Sequence, residues 1–352
     1  MKKQLLLLIF LSLCLLLSAC GSSTPIYGEV VEATPAALIL DTDDGKRVAV
    51  LLEENTYIWG TDDIDSDAYK AAPHAGVRVQ FFPESRAGSI TTADGEQVKA
   101  YRADFYVRIA AYLLPDAAAL SDGTMLDVWK TSSFGSAYQT KDGVELLREE
   151  PPSGPENHIV GDKERFGDLN EAAKTQIIKF FENRGNLYDL QSELDRAHTA
   201  YQTDPKAFSP FFVKQTSVLA ASGEQVLYFI TDLTQTVSGN VVQTITLCNA
   251  FDRDTGSSIP LADLFICPEE DLGKALLDLA EKNGSGPADP VKAEMEAAFR
   301  MEYLNFSQDS LWIEFPRGSL PSQESAYMVS IPFNDQCKTL VHPWAVPRPN
   351  KQ

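Results

Sequence analysis

The chain has 352 residues, and its 50 Asp and Glu against 30 Lys and Arg give a formal charge of −20. That acidity argues against a nucleic-acid partner, whose phosphates need a basic patch, and draws cationic partners instead. The length leaves room for one large domain or two medium ones with ample core.

The N-terminus runs Lys2-Lys3, an apolar stretch from Leu5 to Leu17, small residues, then Cys20. This is the order of a secretory signal: charged end, apolar centre, cleavage site. The apolar stretch falls short of the roughly 20 residues that a spanning helix needs. The closing residues Leu17-Ser18-Ala19-Cys20 resemble the bacterial lipobox. The resemblance implies cleavage just before Cys20 and a diacylglycerol on its thiol. The mature protein would then be an extracytoplasmic lipoprotein, anchored to the bacterial cell membrane through Cys20. Residues 1–19 are accordingly read as the signal peptide and 20–25 as the lipidated tether, with Gly21-Ser22-Ser23-Thr24 as flexible chain. Loss of Lys2 and Lys3 takes the charge from −20 to −22.

Residues 26–114 read as a small all-β domain. The segments Ile26–Val31, Ala37–Leu40 and Val48–Leu52 are apolar runs, and Asp43-Asp44-Gly45-Lys46 between the last two is a hairpin signal. Thr56–Trp59 and the alternating Gly76–Phe82 follow, then an Asp94-Gly95 turn and a long run from Val98 to Ile109. Five or six short strands in this span indicate a barrel or sandwich. Their order resembles the OB-like barrels of exported bacterial proteins.

Residues 115–165 read as a linker with a candidate hairpin of the second domain, Val128–Lys130 and Val144–Leu147 flanking Lys141-Asp142-Gly143. From 166 to 347 helices and strands mix. Asp168 and Glu171 form a capping-box pattern ahead of a helix whose face is Leu169, Ala173, Ile177 and Phe180, closed by Asn183-Arg184-Gly185. Leu187, Leu190 and Leu194 continue in a second helix. Strands are expected at 211–219, 226–233 and 241–251, and a helix at Pro268 with Leu272, Ala275, Leu276 and Leu279 on one face. Asp289-Pro290 starts another helix, and strands at 311–315 and 327–331 close the chain. The fold class expected is α+β: a small OB-like β-barrel, then a domain with helices packed on an antiparallel sheet.

The run Phe251-Asp252-Arg253-Asp254-Thr255-Gly256, continuing to Leu261-Ala262-Asp263-Leu264-Phe265, is similar to a bacterial extracytoplasmic domain. So are Leu304-Asn305-Phe306, Asp309–Phe315 and Val329–Pro332. That domain closes RsiV-type anti-sigma factors and accompanies some polysaccharide deacetylases. In the RsiV type it binds lysozyme as a signal. The family-motif residues here are Phe251, Asp252, Thr255, Gly256, Leu261, Asp263, Leu264 and Phe265. Family members often carry a Gly-Gly-Ala-His segment before the Phe-Asp strand; here Thr236–Val241 stands in its place, without the histidine.

Little else suggests chemistry. His74, His158, His198 and His342 have no metal-ligand spacing to another His or Cys. Asp63-Ile64-Asp65-Ser66-Asp67 begins like an EF-hand loop, but Ala68 and His74 occupy the positions that need Gly and Glu. Glu149-Glu150 and Glu269-Glu270 read as loop or helix-start acids. Of the tryptophans, Trp59 and Trp312 lie in apolar strands and are expected in the core, and Trp344 is expected to be accessible. Cys248, Cys267 and Cys337 remain beyond the anchor, an odd number: a Cys248–Cys267 or Cys267–Cys337 bridge is one reading and buried free thiols the other. No catalytic residues, metal or cofactor are expected. The function expected is a non-enzymatic binding or sensing module for a cell-wall component or a cationic, lysozyme-like secreted protein. The alternative is a peptidoglycan-modifying envelope enzyme or its accessory subunit.

Overall fold

The structure, a computed structural model, describes residues 24–60, 69, 72–131, 135–155, 159, 169–286 and 289–347. They form mostly β-structure with four helices, consistent with an α+β class. They divide into two compact units: the described residues of Met1–Ala118 with Met125–Lys141, and those of Ala119–Thr124 with Asp142–Gln352.

In the first unit, β1 (Ile26–Thr34), β2 (Ala37–Thr42) and β3 (Arg47–Leu51) form an antiparallel meander. A short β4 (Tyr57–Trp59) precedes two long strands, β5 (Val77–Thr91) and β6 (Gln97–Leu113), which pair antiparallel with several bulges. β5 pairs back onto β1, with Tyr27 opposite Gln80, while the start of β6 runs parallel to β3, with Val50 opposite Tyr101. β4 lies parallel to the far half of β6. Inward side chains are Val30, Leu38, Leu40, Val48, Val50, Ile58, Val79, Phe81, Val107 and Ile109. β7 (Ala118–Ala119) is a two-residue strand; β8 (Met125–Thr131) pairs with the end of β6, and β9 (Gly135–Gln139) with β8. In the stretch expected as a linker with a candidate hairpin, β8 covers the expected strand Val128–Lys130, but its hairpin partner is β9 rather than the strand at Val144–Leu147.

The Asp-Gly turns have a shared chemistry. Gly45 and Gly95 take φ of 75° and 89°, which glycine adopts without strain. In each turn a threonine hydroxyl, of Thr42 or Thr92, accepts the amide of Lys46 or Glu96 at 3.0 Å and bonds the turn aspartate. Arg47 joins the two turns, reaching Asp41 at 2.7 Å, Asp94 at 3.3 Å and Glu96 at 3.2 Å.

The second unit is built on β10 (Glu145–Glu149), β11 (Phe211–Ser222), β12 (Val226–Ser238), β13 (Val241–Asp252) and β14 (Ser258–Ile259). β11 to β14 pair antiparallel, but β10 joins β11 in parallel, so this sheet is mixed where an antiparallel one was expected. The reason is connectivity: α1 (Glu171–Arg184) and α2 (Leu190–Thr203) lie between β10 and β11 and give the chain length to cross over. Asn170 caps α1 by accepting the Ala173 amide at 2.8 Å, and Asp189 caps α2 through Ser192. The buried face of α1 is Ala173, Ile177 and Phe181; Phe180, expected there, is only partly covered. Asp168, expected as the cap, lies outside the described residues.

β12 is covered on both sides. Leu227 and Phe229 pack with Ile177 and Phe181 of α1. Val226 and Tyr228 face the other way, onto α3 (Glu269–Lys282) and a three-stranded antiparallel sheet of β15 (Leu304–Phe306), β16 (Ser310–Phe315) and β17 (Tyr327–Pro332). α4 (Asp289–Ala298) follows α3 and adds Met295 to this core. Tyr228 stacks on Phe306 with centroids 4.4 Å apart, and its hydroxyl donates to the Ala345 carbonyl.

One carboxyl is caught in this packing. Glu314 on β16 neighbours Thr246 on β13, whose hydroxyl donates to Asp232 on β12 at 2.9 Å. Burial, first, and the nearby Asp232 push the Glu314 carboxyl above its usual value of 4.5, and Thr246 partly offsets them. A raised acid favours the fold in its neutral form, so its contribution is complete below the unfolded value and is lost as pH rises through the folded one. Glu314→Gln, which keeps the neutral shape, is therefore expected to raise Tm at pH 7 and to leave it unchanged near pH 4, in thermal scans at the two values.

Candidate binding surfaces

The family-like motif folds as a turn and an anchor. Asp252, at the end of β13, accepts the Asp254 amide at 3.1 Å, the Thr255 amide at 2.7 Å and the Thr255 hydroxyl at 2.8 Å. This side-chain-closed turn brings Gly256 against the first turn of α1. A Cβ on Gly256 would lie 2.3 Å from the Ala173 carbonyl oxygen, and its φ is +71°. Asn170 ties the same junction by donating to the Asp254 carbonyl at 2.6 Å. Phe251 is fully buried among Phe180, Phe181 and Phe229, with centroids 5.0, 5.7 and 5.7 Å away. Leu261, Ala262, Asp263 and Leu264 make a 3₁₀ turn, and Leu264 and Phe265 enter the opposite core. Phe265 bridges to Val341, and the His342 amide donates to the Leu264 carbonyl. The motif therefore binds the sheet to the layers on its two sides.

Where the family pattern has its Gly-Gly-Ala-His segment, this chain has the β12–β13 hairpin tip. A cavity of about 420 Å³ lies beside it, lined by Asp195, Arg196 and Thr199 of α2, by Phe211, and by Val237, Ser238 and Gly239. Arg196 holds this corner. Its guanidinium meets the buried Glu193 at 2.6 Å and donates to the Thr236 and Val237 carbonyls at 2.7 and 3.1 Å. It also lies over the Phe211 ring at 5.4 Å. Asp195 is held by Ser121, through the amide at 3.0 Å and the hydroxyl at 2.5 Å, which keeps its carboxyl below its usual range. The corner offers shape and hydrogen-bonding groups, with Arg196 paired to Glu193 and Asp195 hydrogen-bonded by Ser121.

Sequence reasoning missed a second surface. Trp59 was expected in the core, but it is 49% exposed. β4 has three residues, Ile58 takes the inward position, and strand alternation turns Tyr57 and Trp59 outward. Trp312 is partly covered on β16, and Trp344, expected to be accessible, is half-buried and stacked on His342 at 5.5 Å. Trp129 is buried.

The other candidates separate. His74 lies against Tyr69, and His198 reaches Gln202 at 3.2 Å; His158 and the Asp63–Asp67 run lie outside the described residues, as do Leu17, Ser18, Ala19 and Cys20. Among the described residues, no three His, Cys, Asp or Glu are grouped to hold a metal. Glu149 accepts from the Tyr188 hydroxyl at 2.5 Å, Glu150 pairs with Lys214 at 2.5 Å, and Glu269 and Glu270 open α3. Cys248, Cys267 and Cys337 are all free thiols, so of the two readings of the cysteines the unbridged one holds. Burial pushes the Cys248 thiol up to about 12 and the Cys337 thiol up to about 11; Cys267 is also raised but is partly open.

No family model matches the sequence, and no curated protein is similar to it. Among solved structures, the chain is similar to a DUF3298 family protein from Pseudomonas aeruginosa PAO1, at 14% identity and a TM-score of 0.26, over 38% of this chain. It spans 65% of that protein's length, just under two thirds. It is also similar to a DUF3298 family member from Bacteroides fragilis NCTC 9343, at 11% identity and a TM-score of 0.33, over 66% of this chain and 93% of that one.

Two outcomes test the local chemistry. Gly256→Ala is expected to lose about 2–3 kcal/mol in urea unfolding, since the methyl meets backbone in a left-handed conformation. Gly45→Ala, with open space around its Cβ position, is expected to lose only about 1 kcal/mol. In the native protein at pH 8, a maleimide is expected to label Cys267 first, with Cys248 and Cys337 reacting only on unfolding; mass spectrometry of digests reads the order.

Proposed function

We propose that this protein is an extracytoplasmic lipoprotein, anchored through Cys20, that serves as a non-enzymatic binding or sensing module. Its ligand is a cell-wall component or a cationic, lysozyme-like secreted protein. The observation that carries the location is Leu17-Ser18-Ala19-Cys20 behind a short apolar stretch. What supports binding is the field of a chain at −20 together with a shaped corner of about 420 Å³ at the β12–β13 hairpin tip. The RsiV-like character of the second unit is supported by its motif, in which Phe251, Asp252, Thr255, Gly256, Leu264 and Phe265 have packing or turn roles.

We further infer that the first unit is a small barrel of OB type. The support is the ladder order β1-β2-β3-β6-β5 with β5 returning to β1, and the parallel pairing of β3 with β6. Such barrels present open faces to ligands.

Binding of the chain from Gly21 onward to lysozyme, titrated by calorimetry at low and moderate salt, tests the reading. Tight binding that persists at moderate salt is expected, because a shape-fitted contact survives screening of the surface field. Binding that disappears with salt reduces the interaction to charge attraction. Absence of binding at low salt overturns the lysozyme-like ligand and leaves wall components to be titrated next.

A further inference from the structure

Three aromatic side chains are exposed among the described residues: Tyr27, Tyr57 and Trp59, at 44, 62 and 49%. All three lie on one face of the first unit. Strand register sets them in rows. Tyr27 on β1 stands opposite Gln80 on β5, Gln80 opposite Arg108 on β6, and Arg108 opposite Trp59 on β4. Tyr57 stands opposite Tyr106 in the next row. The side chains knit this face together: Gln80 donates to the Tyr27 hydroxyl at 2.9 Å, Arg108 lies 4.9 Å over the Trp59 ring, and Tyr106 meets Trp59 edge-on at 6.3 Å. Three strand spacings make the row about 14 Å long.

Two features say what covers it. The first is charge. The ionisable groups on and beside the rows are Arg108, Arg78 and Glu29, with Asp43 paired to Arg78 and with Asp41 and Asp127 near Glu29, in a chain of −20. Arg108 and Arg78 place positive charge within this face of an acidic molecule. Its outward groups are mostly rings with polar tips, with the exposed Val31 further along β1, while most aliphatic side chains of these strands point inward. Trp and Tyr in that setting favour the boundary between water and lipid, where the ring is dehydrated and the N–H or O–H stays wet. An arginine beside them can lay its stem along lipid and keep its head in water.

The second feature is position. Tyr27 is the second residue of β1 and follows Cys20 by seven residues, a reach of at most about 25 Å. The row therefore begins where the proposed tether enters the fold. We propose that this face lies against the membrane, with Tyr27, Tyr57 and Trp59 seated at headgroup level. The inference rests on the lipid-anchor reading of Cys20.

The test uses the full chain, expressed with its N-terminal segment, extracted from membranes and reconstituted into phosphatidylethanolamine–phosphatidylglycerol vesicles with brominated acyl chains. Mass spectrometry of the N-terminal peptide reports on Cys20, and tryptophan quenching reports on the face. The expected result is an acylated chain whose emission is quenched by the brominated lipid, with most of that quenching lost in Trp59→Phe at unchanged Tm. Tyr27→Ala with Tyr57→Ala is expected to weaken vesicle binding of the unlipidated chain about tenfold or more, the scale of one or two large apolar side chains. An acylated chain without Trp59-dependent quenching overturns the docking and leaves the anchor standing. An unmodified Cys20 overturns the anchor and the docking together. Trp59 emission that responds to soluble wall-glycan fragments and not to lipid also overturns it, in favour of a sugar-binding face.

Discussion

The second unit depends on one strand being dry on both sides. Val226, Leu227, Tyr228, Phe229 and Ile230 are successive residues of β12, and all are buried. Alternation sends Leu227 and Phe229 to α1 and sends Val226 and Tyr228 to α3 and the three-stranded sheet. Each side chain of this size contributes about 1.5–3 kcal/mol when removed from water. The two clusters share no side chain, yet they share the backbone of one strand, so neither layer can leave without exposing its half of the strand. Tyr228 adds a polar constraint, because its buried hydroxyl must find a partner and does so at the Ala345 carbonyl. That bond fixes the C-terminal segment over the core.

The motif that looked family-like has its physical reason in the same arrangement. β13 pairs with β12 over its whole length, so what happens at the end of β13 decides how the covering layers join. Asp252 closes a turn with its own side chain, and Gly256 then passes a helix backbone at a distance that admits no Cβ. Five residues further on, the segment Leu261–Phe265 plugs the opposite core with Leu264 and Phe265. Acid, threonine, glycine and apolar residues at these spacings are what a chain needs to turn, pass close and plug. None of these roles requires contact with a ligand. The motif residues are accounted for by the fold, and the proposed binding role rests on other groups, such as those at the hairpin tip.

Local chemistry was legible in the sequence, and long-range pairing was not. Asp-Gly between apolar runs gave hairpins at Gly45 and Gly95 because the glycine conformation is required there. The continuous apolar run of β12 read as strand, and α3 read from its period and from Asn283-Gly284 at its end. The return of β5 to β1 and the parallel contact of β3 with β6 left no local mark, since no turn residue encodes a partner fifty positions away. Trp59 was misplaced for a related reason. An apolar run of four residues, Thr56 to Trp59, does not say which of its alternate positions faces in; only the docking of Ile58 against the core decides it. The Phe180–Phe181 choice on α1 is the helical version of the same ambiguity, where two adjacent rings compete for one inward position.

Under the proposed binding role, charge and shape would divide the work of recognition. A chain at −20 attracts every cation within a screening length, and that attraction carries no discrimination. Discrimination needs groups fixed in place before a partner arrives. At the hairpin corner, Arg196 is held by Glu193, by two carbonyls and by the Phe211 ring, and Asp195 by Ser121. With those charges satisfied internally, a partner meets a rigid, partly apolar wall rather than a bare ion. The surface field would then set how fast a cationic partner arrives, and the corner which partner stays.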